Sequence, residues 1–171
     1  RQDELGNLSH LCAAAVVFLC LVEIRRLLRL SAVKSPDLLD MLDLVALATV
    51  ADVAPLVGVN RAFVRQGLKI LAYRKRIGLA ALSDQIKIDQ ELSAYHLGFL
   101  LGPRINAGGR IGKSDLGAQL LIAKDLEAAK AMAERLDQLN FERRELENQI
   151  KEAALEQANH KKSIDSLAWA A

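Results

Sequence analysis

The feature that most constrains the fold is a stretch from Asp125 to Asn159 that contains neither glycine nor proline. Good helix formers dominate this stretch, and Asp125 is a residue type that caps helix N-termini. It therefore predicts one helix about 50 Å long. Along it runs an apolar seam with alternating steps of four and three residues, typical of a coiled coil and interrupted by Arg143. The seam consists of Met132, Leu136, Leu139, Leu146 and Ile150.

The remaining sequence also favours helices. The 171 residues are 51% hydrophobic, enough for one buried core, and only 4% aromatic. We predict a mainly α fold, in which the segment 43–53 fits a buried strand less well than a helix. The first helix is apolar on nearly all sides and is therefore expected to be sandwiched between other elements. The other predicted helices start near Pro36 and Asn60 and lie near 77–84, 92–101 and 114–123.

Charge, cysteines and hydropathy bear on the partners of the protein, its cellular compartment and its relation to membranes. A net charge of +2 neither demands nor excludes a polyanionic partner. Cys12 and Cys20 are about two helical turns apart, too far for a disulfide, so we expect buried reduced thiols and a cytoplasmic protein. The apolar run Leu11–Val22 is shorter than the ~20 residues of a membrane span. It predicts a buried helix and no membrane role.

Residues 102–112, GPRINAGGRIG, hold four of the ten glycines. We predict a loop there, because glycine interrupts helices and permits tight turns. Backbone N–H groups of Gly108 and Gly109 could bind an anion, and Arg104, Asn106 and Arg110 supply donors that suit phosphate. The alternative is a turn whose arginines pair with acidic residues. The spacing matches neither a Walker A loop nor a dinucleotide-binding fingerprint.

A second candidate is Asp52, a carboxylate set between Val50 and Val53. A lone carboxylate is costly to bury, so we expect a partner. Two interpretations are open: a residue at a helix C-terminus bonded to local backbone, or a ligand of Mg²⁺ or Mn²⁺. Nothing near it in sequence completes a metal site.

A third candidate is basic. Arg61, Arg65 and Lys69 lie at four-residue steps and predict a stripe on one helix face. Such a stripe could follow a phosphate backbone, or it could simply be a solvated face. His96 is expected to be a satisfied core or boundary histidine.

Three separated segments carry a family resemblance. In this order, LDLVALATVADVAPLVGVNRAFVRQGL, GFLLGPRINAGGRIGKSDLGAQLL and LDQLNFERRELE resemble RecJ-type exonucleases of the DHH phosphoesterase superfamily. The resemblance implies 5′→3′ digestion of single-stranded DNA in repair and recombination. It implies two divalent ions, Mn²⁺ or Mg²⁺, with Asp52 as a catalytic metal ligand. It also implies DNA contacts in the second segment, by Arg104, Asn106, Gly108, Gly109 and Arg110.

The resemblance implies a division of the chain as well. Residues 1–124 correspond to the C-terminal part of an α/β DHH domain, 125–160 to a connecting helix, and 161–171 to the start of a DHHA1-like domain. The family's other aspartate motifs and its Asp-His-His triplet are expected before Arg1. One aspartate cannot hold two ions, so we expect the 171 residues alone to be inactive.

Two other functions stay open at this point. One is a DHH phosphoesterase acting on short oligonucleotides or cyclic dinucleotides. The other is a helical DNA-binding module without chemistry. The partners expected for the leading hypothesis are single-stranded DNA, a repair helicase and a single-strand-binding protein.

Overall fold

The computed structural model of the chain describes residues 8–30, 36–111 and 114–160. Helices make up the ordered elements of this described part, and no strand occurs in it, which confirms the mainly α prediction. A 3-10 turn at Leu38–Met41 and a π-helix at His96–Leu101 accompany the α-helices. The α-helices are α1 (Ala13–Leu30), α2 (Leu42–Ala51), α3 (Gly58–Ala72), α4 (Ile77–Gln85), α5 (Gly102–Ile111), α6 (Leu116–Ile122) and α7 (Leu126–His160).

Helix α2 lies at the centre of the packing. It contacts α1, α3, α5 and the π-helix, and most of its residues are buried. Its closest neighbour is α3, at Gly67. A Cβ atom built at Gly67 would lie 2.2 Å from the Leu42 carbonyl oxygen, so only glycine permits this approach. The near-continuous apolarity of 43–53 thus reflects a helix that is buried on several sides. This agrees with the prediction of a helix rather than a strand for this segment.

The N-terminal part of α7 forms the other side of the core. It packs on α4, α5 and α6, and Leu136 and Leu139 are almost fully buried. Asp125 caps the helix, since its carboxylate accepts a hydrogen bond from the Ala128 N–H at 2.8 Å. Both the helix and its cap confirm the sequence prediction. The apolar seam is buried only in part, because Leu146 and Ile150 are about half exposed.

One buried ion pair joins distant elements. Asp43 of α2 is 3% exposed, and Arg76, the residue before α4, donates to both of its oxygens at 2.7 and 3.1 Å. Arg76 also donates to the Leu121 carbonyl at 3.1 Å. A buried carboxylate needs such pairing to remain charged. The pair therefore fixes α2, α4 and α6 relative to one another.

Two expectations for α1 are wrong. Only one face of the helix is buried, through Ala15 and Phe18, while its opposite face exposes apolar side chains to solvent. The described part of the chain supplies nothing to cover that face. Cys12 is buried as expected, but Cys20 is exposed. None of the described helices is both long and apolar enough to cross a membrane.

Candidate functional site

Asp52 lies directly after the last residue of α2, in a Schellman turn. Val53 adopts φ 55°, its N–H bonds the Val50 carbonyl, and the Ala54 N–H bonds the Thr49 carbonyl. This is the helix ending that glycine usually makes possible. A β-branched residue in the left-handed region costs roughly 1–2 kcal/mol. The backbone is therefore held by its surroundings in a conformation that ends α2 at Asp52.

The side chain of Asp52 is exposed, which corrects the expectation of burial. Within the described residues its carboxylate has neither a hydrogen bond nor an ion pair, and none is required because water solvates it. The backbone N–H of Asp52 donates to the Ala48 carbonyl at 2.9 Å. Asp52 is thus a helix C-terminal residue whose carboxylate is free to bind a cation.

The segment that follows Asp52 is fixed by a buried amide. The Asn60 side chain is 0% exposed and donates to the carbonyl oxygens of Pro55 and His10, both at 3.0 Å. Buried hydrogen bonds of this kind hold irregular backbone in one conformation. Asn60 therefore positions the turn that carries Asp52. The sequence offered no signal for this role.

Residues 102–111 of this glycine-rich segment form a helix, so the predicted loop and its backbone anion site are wrong. Residues Gly102–Ile111 form α5, which continues from the π-helix His96–Leu101. At the junction the Gly102 N–H bonds the Leu97 carbonyl. A Cβ at Gly102 would lie 2.8 Å from that oxygen and 3.2 Å from the Ala51 side chain. Because glycine has no side chain, it lets this part of α5 pack closely against the end of α2.

A groove runs between the N-terminal half of α5 and the middle of α7. The end of α2 closes one side of it through Ala51, the residue before Asp52. Asn106 contributes an amide from α5, and Arg143 contributes a guanidinium from α7. The groove thus presents these donors next to Ala51, whose neighbour in the chain carries the exposed carboxylate. Its lining is Ala51, Gly98, Gly102, Pro103, Asn106, Arg143 and Glu147.

Arg143 is the most constrained charged group of the groove. It bonds Glu147, and it donates to the Asn140 side-chain oxygen at 3.1 Å. Its Nε is buried and has no partner among the described residues. An unpaired buried donor is unfavourable unless an acceptor reaches it. The interruption that Arg143 makes in the apolar seam was the sequence signal for this polar site.

The predicted phosphate-binding residues lie in different places. Asn106 and Gly109 are exposed, and Gly108 is buried. Arg104 is outside the groove lining: it donates to Asp137 at 2.7 Å and to the Leu100 carbonyl at 2.9 Å, fixing α5 against α7. The side chain of Arg110 lies outside the described residues. The alternative that an arginine here pairs with an acidic residue is therefore confirmed for Arg104.

The basic residues along α3 differ in their pairing from those that directly follow this helix. Arg61, Arg65 and Lys69 are exposed along α3, as the predicted stripe requires. The following cations are paired instead. Arg74 binds Asp84 at 2.7 Å, and a hydrogen bond from Lys75 to Asp40 raises the pKa of Lys75.

His96 is a satisfied boundary histidine, as predicted. It is 5% exposed, and its Nδ1 lies 3.0 Å from the Ser93 N–H nitrogen. The Gln90 side-chain nitrogen lies 3.0 Å from its Nε2. Both ring nitrogens are thus engaged, and the ring is held in one orientation.

Comparison with known proteins follows these elements closely. No protein-family model matches the chain. Over 163 residues, 91% of its length, the chain is 40% identical to the single-stranded-DNA-specific exonuclease RecJ of Salmonella typhimurium. It is 36% identical over 106 residues to RecJ of Thermus thermophilus. This chain is a relative of RecJ.

The fold agrees with the sequence comparison. The crystal structure of Thermus thermophilus RecJ with Mn²⁺ superposes on 72% of the chain with a TM-score of 0.67 and 36% identity. The structure with Mg²⁺ gives the same TM-score. The chain covers only 28% of the Salmonella protein and 19% of the Thermus crystal chain. It therefore corresponds to a segment of RecJ, which confirms the resemblance read from its motifs.

The RecJ crystal structures contain Mn²⁺ or Mg²⁺, in agreement with the predicted cofactors. Among the described residues of this chain, no group of three or more His, Cys, Asp and Glu side chains is arranged to hold a metal ion. Asp52 fits such an ion as a single exposed carboxylate ligand, the donor type that Mg²⁺ and Mn²⁺ prefer. That the 171 residues alone are inactive stays a prediction.

Proposed function

We propose that this chain is part of a single-strand-specific DNA exonuclease that hydrolyses phosphodiester bonds from the 5′ end. The observation that carries the proposal is the place of Asp52 at the end of α2. This exposed carboxylate, able to bind a cation, directly follows Ala51, which lines a groove that also presents Asn106 and Arg143. The similarity to RecJ, named for its action on single-stranded DNA, supports this substrate.

In this proposal Asp52 holds one of two divalent ions, together with residues of the whole protein that lie elsewhere. Two bound Mn²⁺ or Mg²⁺ ions supply an activated water and stabilise the leaving oxygen. The role of this chain in the proposed mechanism is to hold Asp52 in place at the end of α2. The Schellman turn and the Asn60 amide fix its position. A ligand held rigidly is aligned before the metal binds.

Helix α5 is proposed to contact the DNA strand through the exposed Asn106 and Gly109 and through Arg110, and Gly108 stays a proposed contact although it is buried. Asn106 donates to a phosphate oxygen, while the small residues let the backbone of the strand approach the helix. Arg104 stays a proposed contact, although its pairing with Asp137 gives it a second task, the placement of α5. Contacts of this kind carry no base specificity.

The setting of this activity follows from the same proposal. An enzyme that digests single strands acts in DNA repair and recombination, in the cytoplasm, beside a helicase that opens the duplex and a single-strand-binding protein. Residues 1–124, 125–160 and 161–171 are proposed to belong to the DHH domain, its connecting helix and the next domain. Helix α7 matches the second range, and the third lies outside the described residues.

Substitution of Asp52 tests the proposal. In the whole protein, Asp52→Ala should abolish manganese-dependent degradation of a 5′-phosphorylated single strand, because one ion loses a ligand, while DNA affinity changes little. Nuclease assays and fluorescence anisotropy with the same oligonucleotide measure the two quantities. Asp89→Ala is the matched control, since Asp89 is also an exposed carboxylate.

Three outcomes would contradict the proposal. Normal turnover by Asp52→Ala at saturating DNA would remove the metal role of Asp52. Faster hydrolysis of dinucleotides or cyclic dinucleotides than of long single strands by the unsubstituted protein would instead favour a different DHH phosphoesterase. Binding of DNA without any hydrolysis would favour a non-catalytic binding module.

A further inference from the structure

Two aromatic side chains form an exposed pair at the start of the π-helix. The rings of Tyr95 and Phe99 are stacked, with centroids 5.1 Å apart and planes inclined by 29°. Tyr95 is 60% exposed and Phe99 is 69% exposed. Large aromatic rings usually bury their faces, because each removes a large apolar area from water. A stacked pair facing solvent is therefore a surface suited to another flat apolar group.

The buried His96 holds the aromatic pair in place through its contact with Tyr95. The Tyr95 ring meets the His96 ring edge to face, with centroids 5.7 Å apart. His96 in turn is buried and fixed by Ser93 and Gln90 through both ring nitrogens. The π-helix that begins at His96 is a rare element that occurs frequently at functional sites. A flat ligand would thus meet rings that are already positioned.

The aromatic pair adjoins the groove described above. Gly98, which lies in the groove lining, directly precedes Phe99. Gly98, Gly102 and Asn106 follow one another at four-residue steps along the groove, while Tyr95 and Phe99 are four residues apart and stack on each other. Rings for bases and polar groups for phosphates therefore lie on one continuous helical segment. This alternation matches a single strand, whose bases are unpaired and free to stack.

We propose that Tyr95 and Phe99 are a base-stacking platform for single-stranded DNA, whose phosphates lie along the groove that Ala51, the residue before Asp52, lines at one side. This inference rests on the proposed exonuclease function and names the part of the substrate that these residues contact. Stacking accepts any base, so the platform binds without regard to sequence. It also distinguishes single strands from duplexes, because paired bases keep their faces covered by their neighbours.

A strand with and without bases tests the platform. In the whole protein, with metal omitted, Phe99→Ala should weaken binding of an ordinary oligonucleotide roughly tenfold, the usual effect of losing one stacked base. On an oligonucleotide with abasic positions the same substitution should change affinity little. Phe141→Ala is the matched control, because Phe141 is an exposed phenylalanine of α7, 60% accessible. It should behave like the unsubstituted protein on both strands.

Fluorescence gives a second readout that does not depend on stability. Phe99→Trp should emit as an exposed tryptophan and be quenched when single-stranded DNA is added, because an indole stacked on a base loses its emission. Phe141→Trp should show no such quenching. Blue-shifted emission that Phe99→Trp adds before DNA is present would mean that another part of the protein covers these rings, and would overturn the inference.

The outcomes separate this inference from the function on which it rests. Equal affinity of Phe99→Ala and unsubstituted protein for ordinary DNA, with normal digestion, would overturn the platform and leave the exonuclease intact. Equal losses on ordinary and abasic strands would also overturn it, since a base contact cannot act where no base exists. Failure of the unsubstituted protein to digest single strands would refute the function itself.

Discussion

At the scale of single residues, the pairing of a charge decides which role it can take. Arg104 and Asp52 were both predicted to act on the substrate. The structure pairs Arg104 with Asp137 and leaves Asp52 exposed at a helix end. The sequence shows which residues are charged, but it does not show which charges meet, since Arg104 and Asp137 are 33 positions apart. That difference is a product of how α5 packs on α7.

The contribution of the Arg104–Asp137 ion pair to stability can be tested by substitution. Arg104→Gln and Asp137→Asn should each lower the free energy of unfolding by about 1–2 kcal/mol, because each leaves a half-buried partner unpaired. The double variant should lose less than the sum, as expected for residues in direct contact. Urea denaturation of the four proteins measures this coupling.

Two results would change the assignment of Arg104. Additive losses in the double variant would show that the pair contributes nothing to stability. A loss of DNA affinity in Arg104→Gln that Asp137→Asn does not share would show that Arg104 also contacts the strand. A loss shared by both variants would mean that they act through the position of α5.

At the scale of elements, helices were predictable and their contacts were not. The absence of glycine and proline between Asp125 and Asn159 sufficed for α7. The glycines of 102–112 misled, because intrinsic propensity treats glycine as a helix breaker whereas close packing can demand it. Likewise α2, α3 and α4 end in left-handed residues that are not glycine, Val53, Arg74 and Lys87. Pro55 follows the first of these ends in the sequence, but no glycine marks any of the three.

Gly67 provides the element-scale prediction. Gly67→Ala should lower the free energy of unfolding by about 1–3 kcal/mol, because the added methyl group overlaps the Leu42 carbonyl and forces α2 and α3 apart. The intrinsic gain of alanine in a helix, ~1 kcal/mol, offsets only part of this loss. Thermal unfolding followed by circular dichroism measures the change.

Gly109→Ala is the control for that experiment. Gly109 also lies inside a helix, and a Cβ there meets nothing within 4 Å. It should therefore raise stability by about 0.5–1 kcal/mol. If both substitutions shifted stability in the same direction, the tight contact between α2 and α3 would not be the cause.

At the scale of the whole molecule, the outer face of α1 is the largest departure from expectation. Six of its apolar side chains are each at least a third exposed in the described structure: Val16, Val17, Val22, Ile24, Leu27 and Leu28. Exposed apolar side chains grouped on a helix normally mark an interface. The sequence predicted an apolar helix correctly but not that one of its faces would lie open.

The exposed face of α1 predicts the behaviour of the 171-residue chain by itself. It should self-associate as concentration rises, because burial of apolar side chains is favourable. Val17→Glu with Ile24→Glu should shift the chain toward the monomer in sedimentation velocity. Leu155→Glu, on the exposed part of α7, makes the same kind of change elsewhere and should leave association unaltered. Monomers at every concentration would contradict the prediction.

The sequence by itself determined the helical class, the long helix α7 with its Asp125 cap, and the motifs that relate the chain to RecJ. These follow from local propensity and from the order of residues, which need no knowledge of contacts. Only the tertiary structure decided that residues 102–111 form a helix, that Arg104 is paired, and that Ala51, the residue before Asp52, lines one groove with Asn106 and Arg143. Those outcomes depend on close approach between segments far apart in the chain, and pairwise packing of that kind is not encoded in any one segment.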